Sequence, residues 1–293
     1  ASDPKVQGHD ECMDAISEAA GNIESKFVAS GRIKGKAVKL TTGTEEICFP
    51  MSSAKASKQL KPLLDAATPS PFGRGNQTVH DSSVRVASQL LPSDFEVDFD
   101  PKKAGVLETI RQQLVPDTSE VRAELHKLNI YGEGGFFAKH KDTPRSTTNF
   151  GSLVVVLPVP FEGGSLKVGH NGQLESFGWA RTRQHGWNRG DRSSWDKEKA
   201  RKWDEDKAKK VPLIGVQWAA FFGDAEHEVL KVTKGHRITL TYLLHRAPLP
   251  EGAPPPDVLV QRAVGLQESL RASLTDPTFM ADGGELGFRC RHL

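Results

Sequence analysis

The sequence predicts an α+β protein with a double-stranded β-helix (jelly roll) at its core and supporting helices packed on one side. Three observations carry this expectation. From about Glu120, seven short β-favouring runs follow one another: AELHKLNIY, FGSLVVVLPV, GSLKVG, GQLESFG, VPLIGVQWAAFF, HEVLKV and HRITLTYLL. Gly, Pro, Asn or Lys-Gly turns separate them, the pattern of a sandwich or barrel. Helical segments precede and follow these runs, and no internal repeat divides the chain.

In chain order, a helix is expected around Asp10–Ala20, followed by the β-rich runs KFVASGRI, KAVKLTT and EEICFPM. A second helix is expected from Ser52 to Ala66, with Ser52 or Ser53 as its cap and Pro69 beyond its end. The stretch TPSPFGRGNQTVHD is too long for a simple connector and reads as a lid or binding loop. Another helix runs from about Pro101 to Leu114, and the last lies near Pro256–Leu274. These elements divide the chain into an N-terminal α/β support region (1–118), a jelly-roll core (119–250) and a C-terminal helix and tail (251–293). The tail GGELGFRCRHL has β-like sequence, so the natural protein is open to continuation past Leu293. The core is interrupted at 181–210 by a charged insertion with three interleaved tryptophans. It reads as a solvated helix with paired charges, or as a substrate-binding flap.

The 293 residues are 37% hydrophobic and 26% charged, ordinary values for a soluble globular protein with a well-buried core. The net charge of +2 offers no bulk attraction to nucleic acid or to a membrane surface. No apolar run reaches the roughly 18 residues that a membrane span needs. The start, ASDPKVQGHDEC, has no basic head followed by an apolar block, so no signal peptide is expected. Cys12, Cys48 and Cys290 lack metal-ligand spacing and read as free or buried thiols. That favours a reducing, intracellular setting. Asn76 opens a glycosylation acceptor pattern too short to weigh. The oligomeric state is not legible.

The chemistry concentrates around His140 and Asp142 in GGFFAKHKDTP. On an extended segment, side chains two residues apart point to one face, about 6.5 Å from each other along the strand. An imidazole and a carboxylate so placed can converge on an ion. His227 in GDAEHEVLKV opens a β-run directly after a turn and supplies a third ligand. Two histidines and one carboxylate form the facial set that suits Fe(II), although zinc accepts the same donors. Ten positions on, Arg237 and Thr239 share one face of the run HRITLTYLL. An inward arginine without an acidic neighbour calls for a carboxylate from elsewhere, and a guanidinium fork matches one bidentately. A dicarboxylate co-substrate such as 2-oxoglutarate would provide it. His236 is expected to face the surface.

As an ordered set, His140-x-Asp142, His227 and Arg237-x-Thr239 resemble the iron(II)/2-oxoglutarate-dependent dioxygenases, and within them the prolyl 4-hydroxylase-like branch. IYGEGGFFAKHKDTP is similar to that branch's aromatic-glycine lead into H-x-D, and VVVLPVPFEGGSLKV to its strand pair with a Gly-Gly-x-Leu turn. The resemblance covers about Glu120 to Arg246; the long N-terminal part and the insertion resemble uncharacterised fungal and algal members. Two departures stand out. Arginine replaces the lysine that anchors the far carboxylate in animal and plant prolyl 4-hydroxylases, and Phe136 and Phe137 stand where a tyrosine is common.

The resemblance implies Fe(II) at His140, Asp142 and His227, with the far carboxylate of 2-oxoglutarate at Arg237, Thr239 and Tyr131. It implies consumption of O2, support by ascorbate, and hydroxylation of a substrate C–H bond as 2-oxoglutarate becomes succinate and CO2. Phe136, Phe137, Trp218, Phe221 and Phe222 are candidate dry walls, and Arg85 a candidate substrate contact, with an exposed loop arginine as the plainer reading. A peptide or protein substrate, most simply at proline, follows from the branch. A nucleic-acid base is the alternative substrate, and an inactive jelly-roll binding protein the alternative class.

Overall fold

The structure is a computed structural model and describes residues 4–23, 26–74, 77–179 and 215–288. The N-terminal third runs α1 (Pro4–Gly21), β1 (Val28–Ile33), β2 (Val38–Thr42), β3 (Glu45–Phe49), α2 (Ser53–Gln59), α3 (Lys61–Ala66), β4 (Thr68–Pro69), β5 (Phe72–Arg74), β6 (Gln77–Val79), β7 (Arg85–Val86), β8 (Ser88–Leu90), β9 (Glu96–Val97) and α4 (Val106–Leu114). Then come β10 (Thr118–Tyr131), β11 (Phe136–His140), β12 (Asn149–Val156), β13 (Phe161–Gly163), β14 (Leu166–His170), β15 (Gln173–Phe177), β16 (Val216–Phe222), β17 (Glu226–Val229), β18 (Val232–Gly235) and β19 (Arg237–Pro248). Two helices close the described chain, α5 (Asp257–Arg262) and α6 (Val264–Thr275).

Two antiparallel sheets dominate. The larger has seven strands in the order β1-β16-β12-β19-β10-β8-β4, and the smaller five in the order β15-β14-β17-β11-β7. Strand alternation gives the larger sheet two different faces. Leu128 and Ile130 of β10, Leu153 and Val155 of β12, Trp218, Ala220 and Phe222 of β16, and Ile238, Leu240 and Leu244 of β19 turn outward. There they pack on Leu60 at the junction of α2 and α3, on Leu63 of α3, on Leu107, Ile110 and Leu114 of α4, and on Leu40 and Ile47 from β2 and β3. Each fully buried leucine in that layer is worth about 1.5–3 kcal/mol. Tyr131, Val156, Ala219 and Phe221 turn the other way and meet Phe137, Leu166, Val168 and Val229 of the smaller sheet in a second core. The sheet is buried on both sides, which is why all seven residues of β16 are buried.

Several helix boundaries differ from expectation. The first helix begins at Pro4, earlier than Asp10. The helix expected over 52–66 is two helices, because Pro62 has no N–H to donate and its ring crowds the preceding turn. Ser52 is the cap residue by backbone, with no side-chain capping bond. The helix expected from Pro101 begins at Val106 instead. Asp100 Oδ1 accepts the N–H groups of Lys102 (2.8 Å) and Lys103 (3.1 Å) and closes a turn first, and Gly105 (φ 73°) then leads into the helix. The last expected helix breaks at Ala263. The long polar stretch after Thr68 contains the β5–β6 hairpin, and residues 283–288 of the tail carry no strand. The N-terminal third is not only support: β1, β4 and β8 complete the larger sheet and β7 the smaller. Cys12 and Cys48 are free thiols. Among the described residues no helix is long and apolar enough to cross a membrane. The insertion 181–210, Asn76 and Cys290 lie outside the described residues.

Candidate metal centre

β11 and β17 pair so that His140 stands directly opposite His227 across the ladder. Their rings face each other with centroids 4.1 Å apart. Asp142 follows β11 by two residues, held by the bond from its N–H to Gly223 O (3.1 Å). One ligand atom from each of the three side chains lies within 4.8 Å of the others. Asp142 Oδ1 is 3.9 Å from His140 Nε2 and 3.6 Å from His227 Nε2.

Each imidazole is fixed by the main chain two residues upstream. His140 Nδ1 donates to Ala138 O (2.8 Å), and His227 Nδ1 donates to Ala225 O (3.1 Å). A carbonyl only accepts, so the proton sits on Nδ1 and the Nε2 lone pair is left facing Asp142. Burial, reinforced by the neighbouring His227, pushes His140 down to about 3, so its ring stays neutral and able to ligate. Burial would push the Asp142 carboxyl up. The adjacent His227, the hydrogen bond from Ser152 and the adjacent His140 outweigh it and hold the group below its ordinary value. Ser152 Oγ donates to Asp142 Oδ2 at 2.5 Å. This serine escaped sequence reasoning; its only signal was a hydroxyl inside the apolar run FGSLVVV.

The wall around the centre corrects the expected aromatic set. Phe137 stacks on His140 (centroids 3.6 Å) and Phe221 lies against His227 (4.6 Å). Trp218 and Phe222 face the outer core, because β16 alternates and they sit one residue either side of the inward positions. Phe136 is half-buried, with Lys231 Nζ 5.8 Å from its ring centre.

Arg237 is 1% exposed, and its Nε and Nη2 have no hydrogen-bond partner among the described residues. Its guanidinium lies 5.2 Å from the ring centre of Tyr131, its register partner on β10, and 5.6 Å from that of Trp179. Burial pushes it down to about 10. The Gly163-Gly164 turn passes close by with φ of 72° and 64°. A Cβ on Gly164 would come within 3.1 Å of Arg237 Cδ, so glycine leaves room beside the arginine. Thr239, also 1% exposed, shares the face of Arg237. Trp179 was not anticipated, since nothing local to GWA marks a packing partner for an arginine far along the chain.

Arg85 is neither exposed nor in a loop. It lies on β7 opposite Phe137, donates from Nη1 to Pro71 O (3.0 Å) and from Nη2 to Asn129 Oδ1 (2.7 Å), and lies 4.4 Å from the Phe137 ring centre. Asn129 in turn donates to Thr241 Oγ1 (3.0 Å). Arg85 also lines a cavity of about 590 Å³ with His80, Glu133 and His236, which contains none of the three clustered ligands. His236 is half-buried against Gly132 rather than on the open surface.

The donor set and the orphaned guanidinium both fit a metal ion with a small diacid beside it. Residues 126–245 match the 2OG-Fe(II) oxygenase superfamily. The match is confined to that segment, which contains His140, Asp142, His227 and Arg237. No curated protein matches the chain. Solved structures do. A prolyl-4-hydroxylase from Pseudomonas putida is 14% identical over 79% of this chain and 98% of its own, with a TM-score of 0.37. A prolyl hydroxylase from Trichoplax adhaerens, in complex with a hypoxia inducible factor oxygen degradation domain peptide, is 11% identical over 81% and 91%, with a TM-score of 0.41. The viral collagen prolyl hydroxylase of Paramecium Bursaria Chlorella virus-1, as a 2OG complex, is 15% identical over 77% and 98%, with a TM-score of 0.36. At these values the likeness is loose.

Proposed function

We propose that this protein is a 2-oxoglutarate-dependent dioxygenase that hydroxylates a peptidyl residue, most simply proline, with its two sheets as the walls of a double-stranded β-helix. On this reading 119–250 is the catalytic core, completed by strands from the support region 1–118. The observation that carries it is Arg237: a buried guanidinium with two unpartnered nitrogens, on the inward face of the sheet that also bears Ser152, the partner of Asp142.

His140, Asp142 and His227 would hold Fe(II) through two Nε2 atoms and a carboxylate oxygen. Bound there, iron supplies with O2 and 2-oxoglutarate the oxidising power that adds one oxygen atom to a substrate C–H bond and the other to succinate, with release of CO2. The protein's own residues position and exclude. Arg237, with Thr239 and Tyr131 beside it, receives the far carboxylate and relieves its own buried charge. Ser152 keeps one Asp142 oxygen hydrogen-bonded, leaving Oδ1 toward the imidazoles. Phe137 and Phe221 cover the rings and keep water from their flanks.

The test is succinate formation from 2-oxoglutarate by the purified chain with Fe(II) and ascorbate, without added substrate. Slow metal-dependent release is expected, abolished in Asp142→Ala and His227→Ala while circular dichroism stays that of the wild type. Undiminished release in either variant would remove the triad from the reading.

A further inference from the structure

Tyr131 belongs to a row of inward side chains on β10. Two residues earlier stands Asn129 and two earlier again Lys127, opposite Thr239 and Thr241 of β19. Asn129 is engaged by Arg85 and Thr241. Lys127 is not so engaged. Among the described residues its Nζ makes one hydrogen bond, 3.3 Å to Gln89 Oε1, an oxygen that already accepts Ser70 Oγ at 2.9 Å. No carboxylate among the described residues pairs with it.

The surroundings of Lys127 are positive. Burial first, and then the charges of Arg85 and Arg145, push it down to about 8, with only Asp142 acting the other way. His126, at the β-bulge beside it, is pushed to about 4 by burial and by Lys127, Arg145 and Arg85. The influence is mutual: the charge of Lys127 helps to lower Asp142. The register places it there as well: Lys127 stands opposite Thr241, and Thr241 opposite Val154, two residues along β12 from Ser152, the hydrogen-bond partner of Asp142. A half-buried ammonium without an acidic partner among the described residues therefore shares the inward face with the candidate metal centre. It is not a second anchor for the co-substrate. Four residues along a strand place it about 13 Å from the Tyr131 level, too far for one five-carbon diacid held at Arg237.

Resting on the proposed oxygenase reading, we infer that Lys127, aided by the charge of exposed Arg145, receives a side-chain carboxylate of an acidic peptide substrate, next to the residue that is oxidised. Arg85 is excluded from the role because both of its terminal nitrogens are already committed to Pro71 O and Asn129 Oδ1. A nucleic-acid strand fits less well. Binding a polyanion draws on several phosphate contacts, whereas two cations stand here on a chain of net charge +2. A single carboxylate matches one ammonium and one guanidinium.

The test uses fluorescein-labelled prolyl peptides carrying Asp or Glu within three residues of proline, each matched by its Asn or Gln counterpart. Binding is read by anisotropy to the full chain with Mn(II) and 2-oxoglutarate. The acidic peptides should bind wild type about tenfold more tightly than their amides, the size of one charge-assisted hydrogen bond. Lys127→Met should reduce that preference to within about twofold, and Lys127→Arg should restore part of it, since a charge is what the site reads. Because a change at a half-buried lysine can disturb folding, Arg145→Gln at an exposed position serves as the second variant and should lower the preference by about threefold or less. Equal binding of acidic and amide peptides by wild type, or an undiminished preference in Lys127→Met, would overturn the inference. So would tighter binding of a methylated oligonucleotide that Lys127→Met weakens. Wild-type succinate release tests the oxygenase reading by itself, so its failure is told apart from a failure of acid preference.

Discussion

The two faces of the seven-stranded sheet are built by the same strands, one residue out of phase, and differ in chemistry: both bury apolar side chains, but the inward one also carries a row of polar groups. Outward, Leu128, Ile130, Leu153, Val155, Leu240 and Leu244 interlock with the helices as an ordinary apolar core. Inward, the same strands carry Lys127, Asn129, Tyr131, Ser152, Arg237, Thr239 and Thr241. The outward layer holds the sheet rigid, and the inward layer uses that rigidity to keep polar groups where water cannot satisfy all of them. Stability and chemistry are thus separated by a single step of the pleat.

The separation can be broken from either side. The largest expected effect is Arg237→Met, which should weaken 2-oxoglutarate binding by about 3–5 kcal/mol, the range for removing one partner of a buried ion pair. Isothermal titration would show it, and the rise in melting temperature on adding 2-oxoglutarate should disappear. Without the diacid the same variant should be no less stable than wild type, because the charge it removes has no acidic partner among the described residues. Leu240→Ala, the neighbour of Thr239 on β19 and facing outward, should cost about 2–5 kcal/mol in denaturant unfolding. The fraction that stays folded should keep its affinity for 2-oxoglutarate. Ser152→Ala should leave the fold intact and lower affinity for Mn(II) or Fe(II) about 10- to 100-fold, as loss of an outer partner of a ligand does; unchanged metal affinity would leave the serine without a role. The smallest effect concerns pH. Lys127 faces Arg85 from β7, Arg145 and Asp142, and burial and the two arginines set it at about 8. The ammonium must be protonated to hold a carboxylate, so preference for acidic peptides should be kept below that value and fade as pH rises through and above it. A bound carboxylate shifts the midpoint upward.

Much of this division was legible before any coordinates. His140, Asp142, His227 and Arg237 stand at spacings that strand alternation turns into shared faces, and the structure brings the first three together and buries the fourth. What escaped depends on contacts between distant segments. Ser152 on the larger sheet reaches Asp142 in the loop that follows β11 of the smaller one, Trp179 covers Arg237 from another part of the chain, and Asn129 receives Arg85 over 44 residues. No local pattern encodes such meetings. Trp218 and Phe222 were misplaced for a different reason: in a run buried on both faces, periodicity no longer says which side is which. The break at Pro62 was readable and was missed because the apolar spacing on either side continues through it.

The bracing of the two ligand rings has a wider consequence. Main-chain oxygens, supplied by whichever residue lies two positions upstream, set the tautomer of both imidazoles. Any amino acid offers that same oxygen, so side chains at those upstream positions are free to drift while the ring nitrogens stay aimed. A centre wired in this way can persist through sequence divergence deep enough to erase most other signs of common descent.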